Sequence, residues 1–252
     1  MENNKQDSLN GHKEKNKYIY MKSLIINDNY QPNDGGVKFE KIIYNRVNDI
    51  IWLEVPKKYT FIDLGLSVKW AEQNVGATKV EEIGLYFAWG ETKGYSGITD
   101  DKKFTWTDYK LCNGSNTTLT KYNNNSSYGV VDNIMTLEYY NDASALSNPI
   151  CRTPTYDEFK ELTANTTPTW ETVNGVKGVR LTASNGNSIF IPAGGYTENG
   201  NLKELGESSY LWSSTVSTAK SIGSGYFFAS SDGAFKTANY YRICGHNLRP
   251  VC

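Results

Sequence analysis

The feature that most constrains the fold is a series of Asn-Gly pairs between short apolar runs in the second half of the chain. Asn174-Gly175 separates TWETV from VKGVRLTA, Asn185-Gly186 precedes SIFIPAGGYT, and Asn199-Gly200 follows that run. Tight hairpin turns need positive φ at both central residues, and Asn-Gly adopts it readily. From Trp170 onward the sequence therefore predicts short antiparallel strands joined by tight turns.

One segment carries clear signals for a helix. Thr155 can act as N-cap, and Glu158 stands three residues later, which is the spacing of a capping box. Phe159 and Leu162 then fall on one face of the helix. We predict a helix that runs from this cap to about Ala164.

The segment before this helix predicts two further features. Between residues 59 and 77, apolar residues alternate with polar or small ones, which is typical of a half-buried strand. The alternating residues are Ile62, Leu64, Leu66, Val68 and Trp70. GLYFAWGET, at 84–92, predicts a buried aromatic segment that ends in a turn.

Residues 94–149 are rich in Asn, Ser, Thr, Tyr and Gly. Such a composition predicts a long surface insertion with little regular structure. A short helix around Asp142–Leu146 is the exception.

The N-terminal part divides in two. Residues 1–17 are charged and Asn-rich, and predict a disordered polar tail because they offer little apolar surface to bury. Residues 18–57 contain three apolar runs bounded by Asn, Asp or Gly, which predict three strands. These strands form a small β module or add strands to the sheet of the main domain. The main domain is predicted at 58–252, and Pro56-Lys57-Lys58 marks the boundary before it.

Composition excludes several classes of protein. The chain has 252 residues and a net charge of −1, with no basic cluster that would indicate a nucleic-acid partner. No apolar run approaches the roughly 18 residues of a membrane span. The first residues lack the apolar region of a signal peptide, which predicts no export by that route if the chain begins at its native start.

The residues needed for catalysis or metal binding are scarce. Only His12 and His246 could supply an imidazole, and neither stands beside a Ser or Cys nucleophile in sequence. No phosphate loop, dinucleotide fingerprint or zinc motif occurs. Cys244 and His246 provide two ligands at i and i+2, too few for a metal site. We therefore predict no catalytic residues, no metal and no cofactor.

The cysteines also lack the spacing of a metal or redox motif. Cys112, Cys151, Cys244 and Cys252 form no CxxC pair. They are predicted to be free thiols, with one incidental pair as the alternative in an oxidising compartment.

The C-terminal stretch has an unusual composition. After Trp212 there is no Glu, Gln or Met and no further Trp, and the only lysines are Lys220 and Lys236. The missing types have codons that end in a purine, so a segment built largely from codons ending in a pyrimidine would have this composition. Tyr, Ser, Gly and Asn, which dominate here, are the types that recognition surfaces use.

The large rings of this stretch support a recognition surface. They are too many for a Gly/Ser-rich segment to bury all of them: Tyr226, Phe227, Phe228, Phe235, Tyr240 and Tyr241. The alternative is a pair of Gly-rich hairpins with cross-strand aromatic packing.

A series of motifs resembles a known family. DLGLSVKWA, NVGAT, GLYFAWGET, RTPTYDEFKEL, IPAGGY, YLWSS and LRPVC resemble, in this order, a bacterial family of C-type-lectin-like domains, whose fold is related to that of the formylglycine-generating enzyme. The resemblance extends from about Phe61 to Cys252. In the family a Trp usually precedes the residue that matches Arg152, whereas this chain has Cys151. The resemblance implies an α+β fold with short antiparallel strands, one or two helices and long loops, preceded by a small β module.

The resemblance also implies a function. Some members are variable proteins of diversity-generating retroelements, in which adenine-directed mutagenesis rewrites a C-terminal ligand-binding surface. That segment lies between Tyr210–Ser214 and Arg249-Pro250 here. Family templates often carry asparagines around the position of Arg242, and an asparagine codon altered at its adenines can encode the residues found there. Ordinary drift in an undiversified member is the alternative.

The predicted ligand-binding residues all belong to this segment. They are Phe227, Ala229, Phe235, Thr237, Asn239, Tyr240, Tyr241, Ile243, Cys244 and His246. Tyr240, Tyr241 and Phe235 are the expected aromatic anchors, because a few such residues carry most of the affinity of an interface.

We therefore expect a non-enzymatic display protein that binds a host-surface or other protein or glycan ligand. The last two of the N-terminal strands, in KIIYNRVNDIIWLE, loosely resemble small strand-turn-strand units of phage tail and fibre proteins. This resemblance favours a virion surface component attached to a larger assembly. The alternatives are a bacterial cell-surface lipoprotein or adhesin of the same fold, and an enzyme of the formylglycine-generating type. Homo-oligomers are common among fibre proteins, but no feature of the sequence indicates the number of subunits.

Overall fold

The computed structural model describes residues 59–252 apart from 100, 218–219 and 221, together with the backbone of three N-terminal strands. These strands are β1 (Tyr18–Lys22), β2 (Lys41–Asn45) and β3 (Ile50–Glu54). They form an antiparallel sheet of their own in the order β1-β3-β2. The three predicted strands are confirmed, and the predicted tail at 1–17 lies outside the described residues.

The prediction of one continuous strand from Ile62 to Trp70 is wrong, because most of this segment makes no strand pairing. Only its ends pair, as β4 (Phe61–Ile62) and β5 (Trp70–Ala71). Gly65 takes a left-handed φ of 71°, and its N–H donates to the Asp63 carboxylate at 2.9 Å, so the chain bends back on itself between them.

The burial predicted for this segment nevertheless holds. Leu64 and Trp70 are buried and the polar residues between them are exposed. A bent loop can therefore keep the alternation of a strand when its apolar side chains reach the same core.

The aromatic segment that follows is buried as predicted, with Tyr86, Phe87 and Trp89 almost without exposure. The insertion at 94–149 has little regular structure, as expected. It contains two 3-10 turns, Ser126–Tyr128 and Tyr139–Asn141, and the short helix α1 (Ala143–Ser147).

The prediction that this insertion is a surface feature is wrong in part. Phe104, Tyr109, Leu119 and Tyr122 lie in the core. The Tyr122 ring packs edge-on against Trp89, with 5.1 Å between centroids. The insertion thus supplies aromatic rings to the same interior as Trp212 and Tyr226 of the C-terminal strands.

The predicted helix is confirmed as α2 (Tyr156–Asn165), with its capping box. The Glu158 N–H donates to Thr155 Oγ1 at 3.2 Å, and the Thr155 N–H donates to Glu158 Oε2 at 2.7 Å. Phe159 and Leu162 are fully buried.

The hairpins predicted from the Asn-Gly pairs are confirmed. β6 (Thr166–Val173), β7 (Val176–Ala183) and β8 (Ser188–Pro192) form one antiparallel sheet in that order. β9 (Tyr196–Glu198) pairs with β10 (Asn201–Lys203).

The last sheet follows in the order β11-β12-β13. Its strands are β11 (Ser208–Val216), β12 (Gly223–Ser230) and β13 (Phe235–Tyr241). The described chain is thus mostly β with two short helices and several small antiparallel sheets, which is compatible with a small α+β fold.

Two clusters of side chains form most of the core. One lies between α2 and the sheets and contains Phe159, Leu181 and Phe227. The other is aromatic and contains Trp89, Tyr122 and Trp212. No helix in the described part of the chain is long and apolar enough to cross a membrane.

Candidate ligand-binding surface

The C-terminal sheet has its two faces covered differently. On one face α2 packs against β12, where Phe159 stacks on Phe227 with 5.6 Å between centroids. Phe235, at the start of β13, meets Phe227 edge-on at 5.7 Å. Phe235 therefore helps to seal the contact between the sheet and α2.

The other face carries a set of rings that we call the His246 cluster. The imidazole stacks on Trp212 with 3.8 Å between centroids. The cluster is completed by four tyrosines within 6.4 Å of the imidazole, namely Tyr196, Tyr210, Tyr226 and Tyr240. This face is closed by aromatic packing over most of its area.

Half of the predicted binding residues are buried. They are Phe227, Ala229, Ile243, Cys244 and His246, each exposed by 3 % or less. The expectation that these residues face solvent is wrong. The physical reason is that β12 is the central strand of the sheet, while Gly245 and His246 bridge to Thr197 and Phe87.

The remaining predicted residues lie along β13, the edge strand. Phe235 and Thr237 are half-buried, Tyr240 is half-buried in the His246 cluster, and Asn239 and Tyr241 are exposed. Phe235 and Tyr241 stand at opposite ends of the strand, about 20 Å apart at the usual rise per residue. The three expected aromatic anchors thus do not form one patch, and only Tyr240 and Tyr241 lie together.

An open hollow of about 370 Å³ lies at the Tyr241 end of β13. It is lined by Ser217, Lys220, Ile222, Gly223, Asn239, Tyr240 and Tyr241. The Tyr241 side chain is 46 % exposed and its ring meets Trp106 edge-on at 6.4 Å. The hollow thus offers an aromatic ring beside an amide, a hydroxyl and an amine, which are groups that can contact a ligand.

Sequence reasoning missed four residues of this hollow: Ser217, Lys220, Ile222 and Gly223. They precede the tyrosine pair by about twenty positions and join it only through the β12–β13 register, in which Gly223 lies opposite Tyr241. Their position shortly after YLWSS, inside the predicted variable segment, is the sequence feature that could have identified them.

Glu198 connects the exposed and buried parts of this region. Its carboxylate accepts from Lys203 Nζ at 2.8 Å, and the Tyr240 hydroxyl lies 3.4 Å from it. The Cys244 thiol is 3.5 Å away on the inner side. Burial raises the pKa of Cys244, and the Glu198 carboxylate raises it further.

The buried imidazole has no polar environment. Burial lowers the pKa of His246 well below its ordinary value. Neither of its ring nitrogens has a hydrogen-bond partner among the described residues. Burial therefore keeps both the Cys244 thiol and the His246 imidazole in surroundings that disfavour their charged forms.

Two buried arginines hold the part of the chain that follows the hollow. Arg242 donates to the carbonyls of Lys121 and Tyr122 at 3.0 and 2.9 Å, and its guanidinium lies 4.7 Å over the Trp89 ring. Arg249 donates to Asn74 Oδ1 at 2.8 Å and to three backbone carbonyls, and burial lowers its pKa to about 9. The edge strand and hollow therefore sit on a tightly held frame.

None of the four cysteines forms a disulfide, as predicted, and of the four only Cys252 is exposed. No group of three or more His, Cys, Asp or Glu side chains in the described part of the chain is arranged to hold a metal ion. No match is found among protein families, curated proteins or solved structures.

Proposed function

We propose that this protein is a non-enzymatic ligand-binding protein in which β13 and the hollow beside it contact the ligand. The observation that carries this proposal is the pairing of an exposed Tyr241 with an open hollow on a frame held by buried arginines. Rigid aromatic side chains beside small adaptable polar ones are characteristic of recognition surfaces. A fixed frame lowers the conformational cost of binding.

The proposed scaffold is a C-type-lectin-like domain preceded by a small β module. Its support is the order of the sequence motifs, together with the burial of residues from those motifs. Trp70, Trp89, Trp212 and Arg249 are all fully or almost fully buried. The motifs thus coincide with the packing of the core, as expected of a shared scaffold.

The chemistry of the C-terminal segment favours binding over catalysis. A reactive cysteine needs an accessible thiolate, usually beside a positive charge. Cys244 is fully buried, and its polar neighbour is the carboxylate of Glu198. This environment disfavours an enzyme of the formylglycine-generating type that would use Cys244.

We further propose that the C-terminal segment is a retroelement-diversified surface, carried on a phage tail or fibre. The alternative carrier is a bacterial cell surface. The neighbouring DNA tests the diversification: it should contain a near-copy of the codons for residues 213–252 that differs only at adenines, beside a reverse transcriptase gene. Absence of such a copy from the complete source genome would refute it.

Ligand binding is tested directly with the purified protein on a glycan array and on whole bacterial cells. Tyr241→Ala should abolish most of the signal, because it removes the exposed ring that lines the hollow. Tyr140→Ala is the matched control, since this tyrosine is 80 % exposed and does not line the hollow. Equal signals from both variants would overturn the assignment of the surface.

A further inference from the structure

The outer edge of β13 has backbone groups that point away from the sheet. The Arg242 N–H donates to the Ile222 carbonyl at 3.0 Å, and the Ser230 N–H donates to the Ala234 carbonyl at 2.9 Å. These bonds lie at the two ends of the β12–β13 ladder. In an antiparallel ladder alternate residues exchange bonds with the partner strand, and the others turn outward.

Extending this register along β13 assigns each residue to one side. Lys236, Ala238 and Tyr240 direct their backbone groups toward β12, opposite Phe228, Tyr226 and Ser224. The backbone groups of Phe235, Thr237 and Asn239 point outward instead. Outside the strand ladders, none of these three makes a backbone hydrogen bond with another described residue, and no isolated bridge reaches them.

Unpaired strand edges are sites for strand addition, in which main-chain bonds give affinity and pockets for alternate side chains give specificity. The hollow supplies such a pocket. Asn239 and Tyr241 line it, and by strand alternation both point to the face of the sheet where Gly223, opposite Tyr241, has no side chain to fill the space. A strand added beside β13 could insert a side chain there.

Two lysines give this edge its charge. Lys236 lies near the start of β13 and Lys220 lines the hollow at its end. Both are exposed, and neither makes an ion pair with another described residue. Glu198, whose carboxylate lies 3.4 Å from the hydroxyl of Tyr240, is already paired with Lys203. Asp232, in the turn before β13, lies within electrostatic reach of Lys236. Lys220, beside the hollow, is therefore the cation of this edge to which the described residues supply no paired carboxylate.

We propose that β13 takes up an extended, acidic polypeptide segment of a partner as a fourth strand, with one of its side chains in the hollow. This inference rests on the proposed function and names the ligand class for the same surface. A glycan would not supply alternating donors and acceptors at strand spacing, whereas a peptide backbone does.

The test uses the full chain and a phage-displayed library of random linear nonapeptides. Selected peptides should be enriched in Asp and Glu, and synthetic copies should bind in fluorescence anisotropy. Thr237→Pro should weaken them by at least about tenfold, because proline deletes an outward N–H that a partner strand would use while sparing the β12 ladder. Thr237→Ala keeps that N–H and should retain most of the affinity.

Hydrogen exchange gives a readout that does not depend on the proline variant folding. In the wild-type chain, bound peptide should slow exchange at the Thr237 and Asn239 amides. The Ala238 amide, already within the ladder, should change little. Lys220→Ala should weaken the same peptides several-fold, and added salt should weaken them in the wild type.

Two outcomes overturn the inference. Strand addition does not occur if the library yields no binder. It also does not occur if the selected peptides bind a folded Thr237→Pro variant as tightly as wild type and leave amide exchange at Thr237 in the wild type unchanged. If Tyr241→Ala still abolished binding on the glycan array or cells, the proposed function would survive and the ligand would be of another class. If Tyr241→Ala had no effect there either, both proposals would fail.

Discussion

Comparing a replacement of Trp212 with a replacement of Tyr241 should show which of the two side chains stabilises the fold. The Trp212 side chain is 1 % exposed, stacks on His246 at 3.8 Å, and donates from Nε1 to the Phe87 carbonyl at 2.9 Å. Truncating a buried large aromatic costs about 3–5 kcal/mol. Leaving the Phe87 carbonyl without its donor adds about 1–3 kcal/mol, partly overlapping with that cost. We expect Trp212→Ala to lower the free energy of unfolding by about 4–6 kcal/mol.

Urea titration followed by circular dichroism measures this loss. A companion variant, Trp212→Phe, keeps most of the ring and loses the donor, so it should cost about 1–3 kcal/mol. Tyr241→Ala, at an exposed ring, should change the free energy of unfolding by no more than about 0.5 kcal/mol. If Tyr241→Ala cost as much as Trp212→Ala, the Tyr241 ring would be core, and the assignment of the hollow as a binding surface would be wrong.

Three other changes test the frame. The lowered pKa of His246 means that the folded state binds fewer protons than the unfolded state below about pH 6.5. The free energy of unfolding should therefore fall as the pH drops through that range. Urea titrations should show a smaller fall for the His246→Phe variant. Arg249→Lys should cost about 2–4 kcal/mol, since an ammonium cannot satisfy Asn74 and three carbonyls in the same geometry, and differential scanning calorimetry should show the lower melting temperature. Thr155→Ala should cost about 1 kcal/mol in urea by removing the cap from Glu158, and no loss would contradict the capping box.

Local signals predicted the elements that depend on a few neighbouring residues. The capping box at Thr155 and Glu158 located α2, and the Asn-Gly pairs located the hairpins, where Asn174 and Gly175 take φ of 48° and 86°. Turn geometry and capping are decided by short-range sterics and hydrogen bonds, so sequence alone specifies them. The same reasoning failed between Ile62 and Trp70, because Gly65 allowed a bend that the alternation of apolar residues does not reveal.

Burial in the C-terminal segment could not be predicted in the same way. Ile243, Cys244 and His246 follow an exposed tyrosine in an irregular segment. Although Ile and Cys are commonly buried types, no periodicity in this segment shows which of its side chains face the core. Their burial depends on the segment around Phe87, which is more than 150 residues earlier and bridges to His246. The hollow is likewise assembled from the β11–β12 connection and the end of β13, which meet only through the strand register.

This division between frame and surface limits how the proposed diversification could work. A substitution at Ile243, Cys244 or His246 must fill a closed space, and a charged residue at Ile243 or His246 would be buried without a partner at a cost of several kcal/mol. At Asn239 and Tyr241 a new side chain enters solvent or the hollow, so size and charge can change with little effect on folding. Even if the whole segment were rewritten, the variation that a ligand meets would therefore be concentrated along the edge of β13 and around the hollow, and the outward backbone groups of that edge would stay the same in every variant.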